Sequence, residues 1–287
     1  MSDVYAAVPR QLAQPWENGG KYRFDRELLK GLIDVQVQSG SAMVSATGGL
    51  AIAVDIWIAT EFRRAGLDPD SVWPRPTRPR SVSQALTRAV SGFRFSRTQS
   101  VREIQEATIE RLLADAGSSR ANILGGYFVK EIDVVIAADD RGLELGVSTK
   151  SMTGSFGKNL GNRFEEAAGD LANIRRRYPL ATFGYAYLAT ANILAEPASW
   201  ERLKDMLRKL ASLSTSDETA SYDACCLVVV DWEGGQVVLH EDEVPEDLSP
   251  DRFFAKLFRT LFSRSPVSDH VPARELWALS DPADAPR

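Results

Sequence analysis

Cysteine and histidine are almost missing from this chain of 287 residues, with two of each. Cys225 and Cys226 are adjacent in an apolar run, and neighbours on a strand point to opposite faces, which argues against a disulfide framework and against a zinc site. His240 and His270 lie far apart near the C-terminal end, so a nucleophilic triad and a His-rich metal site both lose their raw material. Any metal would have to be held by carboxylates. Long hydrophobic runs are missing as well. The most apolar helical stretch, Leu50 to Ala59, is broken by Asp55 and followed by Glu61, Arg63 and Arg64, far short of the roughly 20 residues a membrane span requires. The opening Met-Ser-Asp-Val-Tyr has no basic region followed by an apolar run, so no secretory signal is expected and the cytoplasm is the default location. An excess of positive charge is lacking too: the formal charge is −5, which argues against non-specific coating of nucleic acid.

What is present is unevenly spread. From Ser71 to Arg102 there are seven arginines (Arg75, Arg78, Arg80, Arg88, Arg94, Arg97 and Arg102) and no acid, with Trp73, Phe93 and Phe95 among them. The region from Asp217 to Asp251 is strongly acidic. With 44% hydrophobic and 25% charged residues, the chain is ordinary globular material, long enough for one large domain or a core with an appendage.

Periodicity sets the organisation. Phe24 to Val37 and Leu50 to Ala65 read as helices, while Trp73-Pro-Arg-Pro-Thr-Arg-Pro-Arg80 is too rich in proline to be regular and reads as a linker or arm. Ser81 to Val90 reads as a short helix. Ser100 to Ala116 reads as a longer one, with Ser100 and Glu103 spaced as a capping box. The period then changes: Tyr127 to Ala137 and Leu143 to Thr149 read as strands joined at Asp139-Asp-Arg-Gly142, a hairpin signal. Leu160 to Tyr178 returns to helix before Pro179, and Leu180 to Ala189 is a continuous apolar run suited to a strand covered on both faces. A helix at 198 to 213, a hairpin around Glu233-Gly-Gly235 and a helix at 250 to 262 complete the order α-β-β-α-β-α-β-β-α from Ser100 onward, an α/β layered core. Residues 1–95 read as a helical N-terminal extension or subdomain with a basic arm, and 96–287 as the core domain.

The candidate chemistry lies on the first hairpin. Asp133 sits between Ile132 and Val134, where a carboxylate loses solvation and needs a partner. Strict alternation puts Glu144, Gly146, Ser148 and Lys150 on one face of the second strand. A divalent ion and Lys150 are natural partners for Asp133, and carboxylate-held magnesium beside a lysine can activate water against a phosphodiester and stabilise the charge that develops. A salt bridge from Asp133 to Lys130 or Lys150 is the plainer reading.

Asp133, Ser148-Thr-Lys150 and Asn162-Arg-Phe-Glu-Glu166 together resemble the PD-(D/E)XK nuclease superfamily, the fold of most Type II restriction endonucleases. There an Asp on one hairpin strand and (Asp/Glu)-x-Lys on the next form the metal site. The position two before Lys150, acidic in that pattern, is Ser148 here. The resemblance is to a variant with Ser-x-Lys whose missing glutamate comes from the following helix, so Glu165 or Glu166 is expected as ligand. Glu165 is marginally favoured because it borders Ala168 and Ala172. Glu144, four residues from Ser148 and so roughly 13 Å along the strand, is too distant.

The resemblance covers about residues 100 to 190. It implies a restriction-endonuclease-like core, with a mixed central sheet flanked by helices, and a Mg2+-dependent (or Mn2+-dependent) DNA endonuclease of restriction or phage-defence type. Asp133 and Glu165 or Glu166 would bind metal, Ser148 would shape the site and Lys150 would orient water or stabilise the phosphorane. Arg75, Arg78, Arg80, Lys158, Asn159 and Arg163 are the expected contacts to double-stranded DNA. Arg175 to Arg177 suits a helix C-terminal dipole equally well. A homodimer, with one site for each strand, is expected, and a methyltransferase or defence-complex subunit is a possible partner. A catalytically degenerate nuclease-fold subunit, for which Ser148 is the argument, and a repair or recombination nuclease are the rival readings.

Overall fold

The computed structural model describes residues 2–40, 48–212, 221–232 and 235–280. The first two positions of the expected Glu233-Gly-Gly235 turn, and position 213 at the end of an expected helix, lie outside the described residues.

The N-terminal part runs α1 (Ser2–Ala6), β1 (Trp16–Glu17), β2 (Lys21–Tyr22), α2 (Arg26–Gln38), α3 (Gly49–Arg64), β3 (Val72–Trp73), α4 (Gln84–Ser91) and α5 (Gln99–Ala116). Then follow β4 (Ala121–Leu124), β5 (Val129–Ile132), β6 (Val134–Ala138), β7 (Gly142–Met152), α6 (Phe156–Arg177) and β8 (Thr182–Thr190). The chain continues with α7 (Pro197–Ser212), β9 (Ala224–Asp231), β10 (Val238–Leu239), α8 (Pro250–Arg264) and α9 (Val271–Ser280). Six strands form one mixed sheet in the order β10-β9-β8-β7-β6-β3. The pairs β7/β8 and β8/β9 are parallel, joined by the crossovers α6 and α7, while β3/β6, β6/β7 and β9/β10 are antiparallel.

Helices cover both faces, which makes this an α/β architecture of three layers. One face carries α2, α3, α8 and α9 over Val134, Leu145, Val147, Ala186, Leu188 and Cys226. The other carries α6 and α7 over Val135, Phe183, Tyr185, Tyr187 and Cys225. Cys225 and Cys226 thus enter opposite cores, as alternation along β9 requires. Every residue of β8 is buried, in keeping with its uninterrupted apolar sequence. Helix α8 opens with Ser249 accepting from the Arg252 N–H and with Pro250 in the first turn, a start signal in its own right. Its buried Phe253, Phe254, Leu257, Phe258 and Leu261 bring on the order of 10 kcal/mol of gross burial, before ordering entropy is subtracted. The helix lies so close to β8 that a Cβ at Gly184 would come within 2.9 Å of the Phe253 ring. Asp223 ties the layers together: it accepts from Arg175 at 2.9 Å, from Arg264 at 2.8 Å and from the Phe183 N–H at 2.7 Å.

Several expectations need correction. The division at residue 95 is not a break in packing, because α2, α3 and β3 share one hydrophobic core with β6 to β9, α8 and α9. Trp73, read as the head of a linker, pairs with Val135, and Val72 before it with Ile136, so the two form the sheet edge. The strand expected over 127 to 137 is broken at Asp133: β5 leaves the sheet and pairs with β4 as a two-stranded ribbon. Strand β7 runs on to Met152, and α6 begins at Phe156 rather than Leu160, so Lys158 and Asn159 are helical. The cap of α5 is Thr98, without a side-chain cap bond, rather than Ser100. A register shift between Ile136 and Ala137 interrupts the alternation on the β6/β7 hairpin. As a result Leu143 enters the core under α6, whereas Leu145 and Val147 enter the one under α3.

Candidate active site

The break at Asp133 creates the site. Where β5 peels away, the edge of β7 loses its ladder partner, and the Thr149 N–H is taken instead by Asp133 Oδ2 at 2.8 Å. A strand residue points its N–H and C=O to the same edge, so the Thr149 carbonyl faces this opening as well. Thr149 also bonds on its other side: its Oγ1 donates to Asp55 Oδ1 at 2.5 Å. Asp55 comes from α3, whose surroundings are apolar along most of its length. One threonine therefore links two carboxylates contributed by elements nearly 80 residues apart in sequence.

Both carboxylates are deeply set. Burial pushes Asp55 well above the ordinary carboxylate range, and the facing Asp133 charge adds to it; the Thr149 hydroxyl and the more distant Lys150 oppose the shift. Burial likewise raises Asp133, opposed by the Thr149 N–H and Lys150 and reinforced by Glu131. Two desolvated acids of like charge with no ion-pair partner among the described residues are out of electrostatic balance. A divalent cation between them would restore it, so the donor chemistry fits a hard metal ion. Asp55, Asp133 and Glu131 all line a cavity of about 730 Å3 whose walls include Trp73, Arg78 and Glu110.

Lys150 reaches the site from the other face of the sheet. Its Nζ donates to Glu166 Oε1 at 3.0 Å, and Arg163 donates to Glu166 Oε2 at 2.7 Å. Burial pushes Glu166 up, but the bonds from Arg163 and Lys150 outweigh it and hold the carboxyl below its usual range. Helical phase explains the choice of residue. Arg163, Glu166 and Asp170 form one row at i, i+3 and i+7, and Asp170 bonds Lys130 at 2.6 Å, so this row faces the edge of the sheet. Glu165, one step round the helix, is exposed. The slight preference for Glu165 is therefore reversed, and Glu166 meets Lys150 rather than Asp133. Among the described residues, no group of three or more His, Cys, Asp or Glu is gathered to hold a metal ion.

The remaining expected residues divide. Ser148 lies half-buried on the α6 side, against the hydroxyl of Tyr222, which donates to the Ala167 carbonyl at 2.9 Å; it faces away from Asp55. Glu144 is engaged by Arg141 at 2.8 Å and by His270 at 3.2 Å, far from this chemistry. Arg80 is a structural residue: buried, stacked 4.8 Å over the Tyr5 ring and donating to the carbonyls of Arg75 and Pro76. Arg75 is occupied by Asp70 at 3.1 Å and is mostly covered. Neither presents a free guanidinium to a phosphate. Arg78 is exposed at the rim of the large cavity. Lys158 is exposed on the first turn of α6, while Asn159 Nδ2 bonds back to the Ser155 carbonyl. Asn159 and Arg163 line a second depression, of about 380 Å3, with Ser151 and Thr153.

Asp55, which interrupts the most apolar helical stretch, is not among the site residues that the motif spacing points to. A lone acid inside the most apolar helix is a signal of its own, since a carboxylate is placed there at a cost unless something pairs with it. No protein-family model, curated protein or solved structure matches this chain.

Proposed function

We propose that this protein is a divalent-metal-dependent nuclease that hydrolyses phosphodiester bonds of DNA, with Asp55, Asp133 and Lys150 as its working residues. The observation that carries the reading is the pair of buried carboxylates bonded to one residue, Thr149, with a lysine next in sequence. The order helix, hairpin, helix, strand around this pair accords with the resemblance to the PD-(D/E)XK superfamily, in which a restriction-endonuclease-like core carries the metal site at the opening of the hairpin. Ser148 stands where that pattern has an acid, and on this reading Asp55 supplies the missing charge from the opposite face.

Asp55 and Asp133 would hold magnesium or manganese, with the Thr149 carbonyl on the same edge. The ion, when bound, supplies positive charge to the phosphate and lowers the pKa of a water. Lys150 stands beside the pair as a cationic donor suited to the phosphate oxygens or to the attacking water, and Glu166 fixes its side chain from behind. Hydrolysis adds water across one P–O ester bond; Arg78 at the rim of the cavity provides positive charge for the polyanion, and Lys158 and Arg163 add to it along α6. Since both carboxyls are raised, the pair ionises over a higher range than ordinary aspartates. Cleavage at subsaturating metal is expected to rise with pH through that range.

The test is cleavage of plasmid DNA in magnesium or manganese by Asp133→Ala and Lys150→Ala variants whose circular dichroism matches that of the wild type. Loss of at least about 100-fold in rate is expected for each, and undiminished cutting by either sinks the assignment. A second reading, a nuclease-fold DNA-binding or assembly subunit without catalysis, is favoured by the lack of a gathered three-donor cluster among the described residues. Calorimetric titration with Mn2+ separates the two, because the degenerate subunit binds no ion at millimolar concentration.

A further inference from the structure

The tip of the β4–β5 ribbon presents large apolar side chains to solvent. Tyr127, Phe128 and Val129 are 68%, 52% and 57% exposed, and Leu124 is 48% exposed. Leu124 pairs with Val129 across the ladder, so the two share the solvent face of the ribbon, where alternation ordinarily puts polar side chains. The opposite face carries Ala121, Ile123 and Ile132 into the core under α6. Contiguous apolar surface of this kind marks an interaction site.

This tip is clamped to α6. Buried Asn173 devotes its side chain to it: Oδ1 accepts from the N–H groups of Tyr127 at 2.8 Å and Phe128 at 3.2 Å, and Nδ2 donates to the Phe128 carbonyl at 3.1 Å. The Gly126 N–H donates to the Asn173 carbonyl, and a Cβ at Gly125 would collide with the Asn173 amide. A turn fixed through a buried amide holds its rings outside the core in a defined place, which is what a preorganised contact surface requires.

The charge beside the tip says what it meets. Arg176 lies 5.1 Å over the Tyr127 ring and donates to its hydroxyl at 3.2 Å. Arg176 and Arg177 are exposed and neither is paired with a carboxylate among the described residues. The nearby acids are matched, Glu131 by Arg120 at 2.8 Å and Asp170 by Lys130 at 2.6 Å. Exposed rings with unmatched arginines suit a polyanion built of flat bases. The same solvent face also leads to the candidate site: Asn122 and Glu131 continue the row from Leu124 and Val129, and Glu131 lines the cavity with Asp133.

We propose, resting on the nuclease reading for the identity of the partner, that the β4–β5 tip is a wedge that enters a groove of the DNA duplex and unstacks a base step with Tyr127 and Phe128. Arg176 and Arg177 supply charge to the adjacent phosphates. Extended chain from Phe128 to Asp133 spans roughly 16 Å, which puts the opened step on the order of five base pairs from the scissile phosphate at about 3.4 Å each.

Binding of a duplex of about 30 base pairs carrying 2-aminopurine, which fluoresces when unstacked, tests this in EDTA, where binding is read without cleavage. The wild type is expected to raise the fluorescence at least about 2-fold at saturation. The double variant Tyr127→Ala, Phe128→Ala is expected to bind about 10- to 100-fold more weakly and to raise no signal, with an unchanged melting temperature because both rings are exposed already. Phe128→Trp is expected to keep the signal. Arg176→Gln is expected to lower the magnitude of the salt slope by about 1. On a duplex whose cut has been mapped in magnesium, the brightest probe is expected about five steps from that cut. A wild type that binds without unstacking, or a double variant that binds and unstacks as the wild type does, overturns the wedge. So does a wild type that ignores DNA, which leaves the tip to a protein surface. Cleavage is read separately: a wild type that unstacks DNA but does not cut in magnesium keeps the wedge and loses the nuclease, and one that cuts without unstacking does the opposite.

Discussion

Replacing Asp55 by asparagine separates the two roles a buried carboxylate can have. The amide keeps an oxygen to accept the Thr149 hydroxyl, whose bond to Asp55 is 2.5 Å, so the packing around α3 is preserved and the charge is removed. Burial and the facing Asp133 hold the Asp55 carboxyl well above its ordinary range. The folded protein therefore retains a proton that the unfolded chain loses near the usual aspartate pKa. Stability contributed at this position is intact below that unfolded value and falls as pH rises toward the raised folded one, by about 1.4 kcal/mol for each pH unit traversed. At pH 8 the wild type carries this penalty, whether it is met as a retained proton or as a buried charge. Asp55→Asn removes it, a gain on the order of 2 kcal/mol. In EDTA the variant should melt higher by about 3–5 °C. Ten millimolar Mg2+ acting on a site with Kd near 1 mM would stabilise the wild type by roughly 1.4 kcal/mol, and the variant, short of one ligand, would gain little. Melting curves in EDTA and in magnesium, paired with plasmid cleavage, read both effects: the variant is the more stable protein without metal and the one that does not cut. A variant that melts below the wild type in EDTA, or that cuts at the wild-type rate, refutes the reasoning.

Glu166→Gln should slow cleavage about 10-fold by removing the charge that holds Lys150 through its 3.0 Å bond, whereas Glu165→Gln, on an exposed position, should change the rate less than about 2-fold in the same assay. Asp223→Ala should cost about 3–5 kcal/mol in urea unfolding, because it strands the buried Arg175 and deprives Arg264 and the Phe183 N–H of their acceptor. Arg78→Ala should weaken DNA binding and lower the magnitude of the salt slope by about 1, without loss of stability. Arg80→Ala should do the reverse, lowering the melting temperature through loss of its carbonyl bonds and its contact with Tyr5 and leaving the salt slope unchanged.

Much of the layered architecture could be read from periodicity because its elements answer to local rules. The apolar run of β8 is the sequence of a strand buried on both faces, and Ser249-Pro250 announces α8. What was hidden depended on partners far away in the chain. Val72-Trp73 is two residues long in a proline-rich setting, and only its pairing with Val135 and Ile136 makes it a strand. The N-terminal helices read as an appendage since periodicity reports that a helix has a buried face but not which surface covers it; here α3 covers the sheet. Alternation failed where the ladder is irregular, at the shift between Ile136 and Ala137, since a one-residue slip moves every later side chain to the other face.

The same distinction explains the site. Asp133 and Lys150 are neighbours across a hairpin, so motif spacing brought them together on paper as the fold does in space. Glu165 and Glu166 differ by about 100° of helical phase, and deciding between them required knowing that α6 starts at Phe156 and that Asp170, one turn on, reaches Lys130. Arg75 and Arg80 looked like phosphate contacts because a proline-rich basic segment reads as solvated. In the fold that segment closes on itself through the Arg80 bonds and its carbonyl acceptance from the Arg75 N–H. Asp55 was legible in one respect only, as an acid with no business in an apolar helix. Its partner, Thr149, is 94 residues away, and no spacing rule spans that distance. A buried charge in a sequence thus says that a partner exists, while the topology that sets α3 across β7 says which one.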